Sequence, residues 1–281
     1  MSACIVCDNR EVRPLYRFSD MEIVRCAGCG LVFREGPVSA QGLYTSTYFK
    51  SSDPLASGYG DYAGDRENLM RTFRRRFKEI LKSKNKGAIL DIGCAMGFFL
   101  CVANEHGWEA KGIEASEFAA SFAKDNFSFE IFPSVKEAGL PWESFDVITM
   151  WDYLEHISDP LGELRDCRAL LREDGLLFMT IPDMESIASM VFKAKWIGIK
   201  KEHIFYFSSE TVKRLLDKSG FRMVSARHAG KYMRIAAILE RARHYNPALG
   251  YALGKLLPVR ARNGSLYVNG FDILRIIARK R

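Results

Sequence analysis

Gly87-Ala88-Ile89-Leu90-Asp91-Ile92-Gly93-Cys94-Ala95-Met96-Gly97-Phe98-Phe99-Leu100 is the stretch whose reading decides the fold. Ala88 to Ile92 is a short apolar run ending beside a carboxylate, with glycines just beyond it. A helix-compatible segment, Phe98 to Glu105, follows and is stopped by Gly107. The order is that of a buried strand, a tight glycine turn and a helix. Glycines let the backbone approach a ligand closely, and the first turn of a helix offers unpaired N–H groups. A second short strand, Ala110 to Ile113, ends in Glu114, placed 23 residues after Asp91. An acidic side chain at that offset can accept hydrogen bonds from both hydroxyls of a ribose. The expectation is an α/β domain that binds a nucleoside.

The spacing Gly93-x-Ala95-x-Gly97 departs from the G-x-G-x-x-G of dinucleotide sites, and Asp91 stands two residues ahead of Gly93. A carboxylate aimed at the turn repels a pyrophosphate and suits a cationic ligand with an α-amino group, which favours S-adenosylmethionine over NAD. The stretch resembles the first motif of class I S-adenosylmethionine-dependent methyltransferases, D-x-G-x-G-x-G, with Ala95 in place of the middle glycine. The competing reading is a β–α turn that binds nothing.

The resemblance implies a Rossmann-like, seven-stranded α/β fold. It also implies a cofactor site in which Asp91 holds the amino group and Glu114, next to Ala115, grips the ribose. Gly93 and Gly97 would line the methionine part, and Cys94, Phe98 and Phe99 would also bind the cofactor. Relatives place an acidic or polar residue on the adenine after the third strand (Phe129 to Phe132). Here Pro133-Ser134-Val135 stands there, which leaves Ser134 or a backbone group for that contact.

The second match begins at Phe145-Asp146-Val147-Ile148-Thr149-Met150-Trp151, a fourth strand, followed by Asp152-Tyr153-Leu154-Glu155-His156-Ile157-Ser158-Asp159-Pro160. Ligands of open α/β sheets bind outside the carboxyl ends of the strands, so Trp151, Asp152 and their neighbours belong to the site. F-D-V-I-T-M-W-D-x-L-E-H-x-x-D-P is similar to the corresponding segment of small-molecule methyltransferases, including quinone and sugar methyltransferases. Asp159 as N-cap and Pro160 at the first helical position open the next helix. His203 introduces H-x-x-x-F-S ahead of a helix capped by Ser208 and ended by Gly220-Phe221, a pattern of the same group. His156 and His203 are the two general-base candidates. The alternative for each is a packed, hydrogen-bonded imidazole.

Near the start, Cys4-x-x-Cys7 and Cys26-x-x-Cys29 are separated by 18 residues. Four thiolates in two knuckles match a tetrahedral structural zinc site with no position left open for chemistry. Gly30 and the β-rich Leu31-Val32-Phe33 suit a ribbon folding back, with Tyr16 and Phe18 on the facing strand. Cys94, Cys101 and Cys167 fall in core elements, so a disulfide framework is not expected. The zinc module joined to this core resembles bacterial deoxysugar C-methyltransferases, though their cysteine pairs are more widely spaced.

Composition bounds the rest. The chain has 281 residues, 48% of them hydrophobic, enough for one α/β domain with appendages. No apolar run reaches the ~20 residues of a spanning helix and no signal pattern opens the chain, so a cytoplasmic protein is expected. The net charge of +7 is uneven. His228 to Arg281 carries eleven Lys/Arg against two acids, and Arg71 to Lys86 carries eight against one. Such segments attract phosphates, whether of a phosphate-bearing small-molecule substrate, an anionic membrane surface contacted peripherally, or RNA. Solvated helix faces explain them equally well. Charges over Met1 to Lys50 nearly balance, which argues against a nucleic-acid surface on the ribbon.

The chain divides into a zinc-ribbon-like module (1–36), a linker (37–64) with Tyr44, Tyr48, Tyr59 and Tyr62 that could close over a ligand, and the main domain (65–281). Arg66 to Lys84 reads as a helix with Leu69, Phe73, Phe77, Ile80 and Leu81 inward and Arg74, Arg75 and Arg76 toward solvent. Tyr232 to Arg243 and Ala248 to Leu257 read as two helices of an insertion (about 232–258), and Phe271 to Lys280 as a last, antiparallel strand. The expected activity is methyl transfer from S-adenosylmethionine to a small molecule, a sugar or nucleotide-sugar first. An RNA methyltransferase and a non-catalytic cofactor-binding partner are the alternatives, and the oligomeric state is open.

Overall fold

The computed structural model describes residues 3–36, 45–51, 58–262 and 264–281. Tyr44 and much of the predicted linker lie outside them. Seven strands form the main sheet: β1 (Ala88–Ile92), β2 (Glu109–Ile113), β3 (Glu130–Phe132), β4 (Phe145–Trp151), β5 (Leu171–Pro182), β6 (Phe221–His228) and β7 (Ile273–Lys280). Their order is β6-β7-β5-β4-β1-β2-β3. β1 pairs in parallel with both β2 and β4, and β4 with β5. β7 is antiparallel to both of its neighbours, as the sequence led one to expect. Ile89, Leu90 and Ile92 are wholly buried, which explains why β1 reads as a continuous apolar run: helices cover both faces.

One face carries the helix Arg66–Leu81, whose Met70, Phe73, Phe77 and Ile80 pack with Phe98, Phe99 and Val102 of the helix Phe98–Glu105. The other face carries Pro160–Leu170 and Ser209–Lys218. Asp159 accepts from Gly162 N–H at 2.9 Å ahead of Pro160. Ser208 and Thr211 form a reciprocal capping box that starts the second helix.

A four-stranded antiparallel sheet joins Val12–Arg17, Glu22–Cys26 and Val32–Glu35 to Phe205–Tyr206. The fourth strand comes from the main chain after β5, with Val32 opposite Tyr206 and Phe33 opposite Phe205. Cys4, Val6, Cys26 and Leu31 share one apolar cluster with Leu90, Met150, Phe205 and Phe207. The ribbon and the sheet are therefore packed as one core. Among the described residues no helix is long and apolar enough to cross a membrane.

Two readings need correction. Lys231–Arg234 is a strand paired with Ser265–Val268, so the insertion's first helix starts at Ile235, not Tyr232. Its second helix is Pro247–Leu256. The two strands enclose the insertion and lie on the helix Arg66–Leu81, where Tyr232 N–H donates to Thr72 Oγ1 at 2.9 Å. Second, the arginine run does not simply face water. Arg74 pairs with Glu105 at 2.9 Å, Arg75 lies 4.3 Å from the centre of the Tyr267 ring, and Arg76 is buried. With Arg71 at 3.9 Å over Tyr232, much of this basic segment is spent on internal partners.

Candidate active site

The sheet order reverses between β1 and β4, and the crevice beyond their carboxyl ends is where an open α/β sheet binds its ligand. A cavity of about 770 Å3 lies there. Asp91, Gly93, Cys94, Trp151, Asp152, His156 and His203 line it, so the structure brings these predicted residues together. A second cavity of about 740 Å3, lined by Glu173, Arg222 and Arg279, sits away from the glycine loop.

The loop after β1 is built from left-handed residues: Gly93 (φ 73°), Ala95 (φ 49°) and Gly97 (φ 77°). A side chain at Gly93 would put its Cβ 2.4 Å from the Tyr153 ring, so glycine is required there on two counts. Ala95 takes the glycine-like conformation at a cost of about 1 kcal/mol. Its N–H donates to Glu114 Oε2 at 2.9 Å, while Ser116 N–H donates to Oε1 at 2.8 Å. Glu114 thus ties the loop to the turn after β2. A carboxylate has about four lone-pair sites, which leaves room for ribose hydroxyls. Burial pushes Glu114 up from the ordinary carboxylate range, against the pull of these N–H groups.

Asp91 is buried beneath the loop and accepts from Thr149 Oγ1 at 2.6 Å. Burial, with the Glu114 charge adding to it, raises its pKa to about 8 against the Thr149 bond and Arg76. The folded state therefore holds a proton on Asp91 that the unfolded chain releases near pH ~4. That contribution to stability is complete below pH ~4 and is lost as the pH rises through about 8. We expect the unfolding midpoint of ligand-free protein to fall by several degrees more in wild type than in Asp91→Asn between acidic and mildly alkaline pH. Equal slopes would show that Asp91 stays ionised. An ammonium group arriving beside Asp91 would draw it back to the charged form.

Other predicted residues sit elsewhere. Phe98 and Phe99 are core residues: Phe98 stacks on Tyr62 at 5.7 Å and Phe99 meets Trp151 edge-on at 5.2 Å. Gly97 abuts Ala123, Ala115 is exposed, and Ser134 is bonded to Glu137 at 2.9 Å. None of these borders the cavity. Tyr48, Tyr59 and Tyr62 do, with Tyr59 in edge-to-face contact with each of the other two.

His156 and His203 meet edge to face with ring centres 4.7 Å apart. The His203 Nδ1 bonds the Gly198 carbonyl at 2.9 Å. Burial lowers His156 to about 4 and His203 well below its ordinary value, so both are neutral imidazoles of low basicity at pH 7.

Arg76, Lys200, Glu202 and Lys231 also line the cavity and were missed. Arg76 lies 3.8 Å from Asp152 and 4.9 Å from the centre of the Trp151 ring. The signal was present: Arg76 falls three residues after Phe73 and four before Ile80, on the helix face already assigned to the interior.

In the ribbon, Cys4 and Cys29 sulfurs are 3.6 Å apart, Cys7 and Cys26 3.5 Å, and all four lie within 4.8 Å of one another. A tetrahedron with Zn–S bonds of ~2.3 Å has edges of ~3.8 Å, so the set fits a zinc ion with little movement.

A family model described as a methyltransferase domain matches residues 62–226. The ubiquinone biosynthesis O-methyltransferase of Histophilus somni is 29% identical over 142 residues, covering 46% of this chain and 60% of that protein. The enzyme of the same description from Coxiella burnetii is 29% identical over 158 residues, covering 51% and 64%. The chain thus spans about three fifths of the length of these curated relatives. A structure described as a SAM-dependent methyltransferase from Archaeoglobus fulgidus superposes with a TM-score of 0.54 at 20% identity, covering 78% of this chain and 99% of that one.

Proposed function

Because the chain belongs to the methyltransferase-domain family, we propose that it moves a methyl group from S-adenosylmethionine to a hydroxyl of a small-molecule acceptor. The observation that carries this reading is one glycine loop set between two carboxylates: Asp91, which lines the cavity, and Glu114, which stands outside that lining and accepts the Ala95 N–H at 2.9 Å. The donor supplies an electrophilic methyl: the acceptor lone pair forms the new bond, the carbon–sulfur pair returns to sulfur, and the hydroxyl proton leaves to a base. The protein's own part is to place the acceptor oxygen and the methyl group in line.

In this proposal Asp91 receives the ammonium group, Glu114 the ribose hydroxyls, and Gly93 and Cys94 let the chain pass close to the methionine part. Trp151 and Asp152 border the transferring methyl, with His156 and His203 as the basic groups within reach of the acceptor. Cys4, Cys7, Cys26 and Cys29 would hold a structural zinc ion. The curated relatives support oxygen as the methylated atom. The wall of charged groups (Asp61, Asp65, Lys200, Lys231, Arg234 and Glu240) supports a polar, polyhydroxylated acceptor of the sugar class. An RNA acceptor gains little, since Arg71, Arg74, Arg75 and Arg76 are engaged within the molecule.

Calorimetric titration with S-adenosylhomocysteine tests the reading. Wild type should bind it in the micromolar range, and Glu114→Ala should weaken binding on the order of 100-fold, through loss of the ribose contact and of the loop anchor. No binding to wild type would remove the donor from the proposal.

A further inference from the structure

Lys231 opens the strand Lys231–Arg234, and Arg241 lies on the helix Ile235–Tyr245 that follows it. Both side chains belong to the wall of the cavity, and neither residue falls within the segment 62–226 that the family model matches. Lys231 exchanges charge interactions with Asp152 and with Glu155, in the turn Leu154–His156 that leaves β4. That puts it at the acceptor end of the cavity. Lys231 and Arg241 are partly buried, and with the described residues neither makes a hydrogen bond or a close ion pair.

Carboxylates of the same wall are held elsewhere. Asp65 bonds Arg234 at 3.0 Å. Asp152 accepts from Thr180 Oγ1 at 2.7 Å and faces Arg76 at 3.8 Å. Glu202 accepts from Gly58 N–H at 2.8 Å, with Lys200 3.8 Å away. Glu155 is 1% exposed, and burial pushes it well above the ordinary carboxylate range, so it adds little negative charge. Glu240 is exposed to water, and Asp272 acts on Arg241 only from a distance. Burial, with the charge of Arg241 adding to it, lowers Lys231 to about 8, so both groups are cationic at neutral pH. Two like charges acting on one another without a counter-ion are costly in a partly desolvated wall. A group that shares negative charge over two or more oxygens answers both. It pairs with Lys231 as a point charge and takes the Arg241 fork through parallel N–H···O bonds.

We propose that Lys231 and Arg241 hold an anionic oxygen group, a carboxylate or a phosphate, carried by the methyl acceptor. This rests on the methyl-transfer reading and narrows its sugar-class acceptor to sugar acids and phosphorylated sugars. Held at that end, the anion fixes which hydroxyl comes into line with the methyl group. A neutral sugar would strip water from both cations and leave them unpaired, so the site discriminates against it. In this proposal the choice of acceptor is made by the strand and helix that lie beyond the family-matched segment.

The test titrates full-length protein, in excess S-adenosylhomocysteine, with inorganic phosphate and with carbon-labelled acetate, and reads binding from the ligand line widths in NMR. One of the two anions should bind saturably, with a dissociation constant on the order of 1 mM, and the tighter one identifies the source. Lys231→Met and Arg241→Met should each weaken it on the order of 10-fold. Lys255→Met, at an exposed position of the insertion, should leave it unchanged. Lys231→Met should also unfold at or above the wild-type midpoint, because an unpaired cation has been removed. A lysine with a merely structural role would lower the midpoint and leave anion binding alone. If that variant does not fold, Arg241→Met carries the test. Wild type that binds neither anion saturably, or affinities within twofold of wild type in both variants, overturns the proposal. S-adenosylhomocysteine binding measured on the same samples separates the two readings. Its retention without anion binding sinks only the anion site, and its absence with anion binding sinks only the methyl donor.

Discussion

Cys26→Ser protein should emerge without its ribbon metal and with an unfolding midpoint lowered by more than about 10 °C. Structural zinc sites contribute on the order of 10 kcal/mol in isolated zinc-finger peptides. Here the ribbon does not stand apart, so the loss spreads inward. Cys26 and Leu31 belong to the cluster that also holds Leu90, Met150 and Phe207. The ribbon strand Val32–Glu35 lies against Phe205–Tyr206, two residues from His203. Arg34 adds a main-chain bond to Ile204 and a side-chain bond to the Lys201 carbonyl at 2.9 Å. Metal analysis with calorimetric melting checks this. A variant that keeps one zinc per chain and the wild-type midpoint rules out the four-cysteine site.

Arg76→Met should cost about 2–3 kcal/mol, read from urea denaturation. Arg76 is 6% exposed and lies 3.8 Å from Asp152, whose backbone is held at φ 53°. Thr180 donates to Asp152 Oδ1 at 2.7 Å, which pins the carboxylate in place. Methionine fills much of the same volume but leaves Asp152 beside Glu155 with its counter-charge gone. Because Asp152 remains a quarter exposed, water recovers part of the loss, and the figure stays below that of a fully buried pair. Asp152→Asn in the Arg76→Met background should return about 1 kcal/mol, the coupling that a double-mutant cycle isolates. Strict additivity of the two changes would mean that the pair does not interact.

Much of the sheet was legible because β1 and β4 are buried on both faces, and uninterrupted apolar runs with glycine after them admit few other readings. The thiol quartet was equally legible, since its spacing is a property of the local chain. The site was readable where its residues sit at strand ends, as Asp91, Trp151 and Asp152 do. It was not readable where remote segments converge. Arg76 reaches the cavity from a helix preceding the sheet, and Glu155 was passed over because a lone carboxylate beside a histidine carries no periodic signature. Tyr232 was misread as helical because a four-residue strand defined by a partner more than thirty positions away resembles a helix start. Phe98 and Phe99, adjacent to the loop in sequence, turn inward because the helix's first turn faces Tyr62 and Trp151.

The pairing of Phe33 with Phe205 also bears on how the chain is made. A ribosome adding ~5–20 residues per second delivers the second partner roughly ten to thirty seconds after the first. Until then the nascent ribbon holds an open edge, with the hydrogen-bonding groups of Val32–Glu35 facing water. Early metal capture would keep that edge short and twisted while the remaining polypeptide is translated. Metal starvation during synthesis should therefore yield insoluble product even when the finished protein tolerates a chelator.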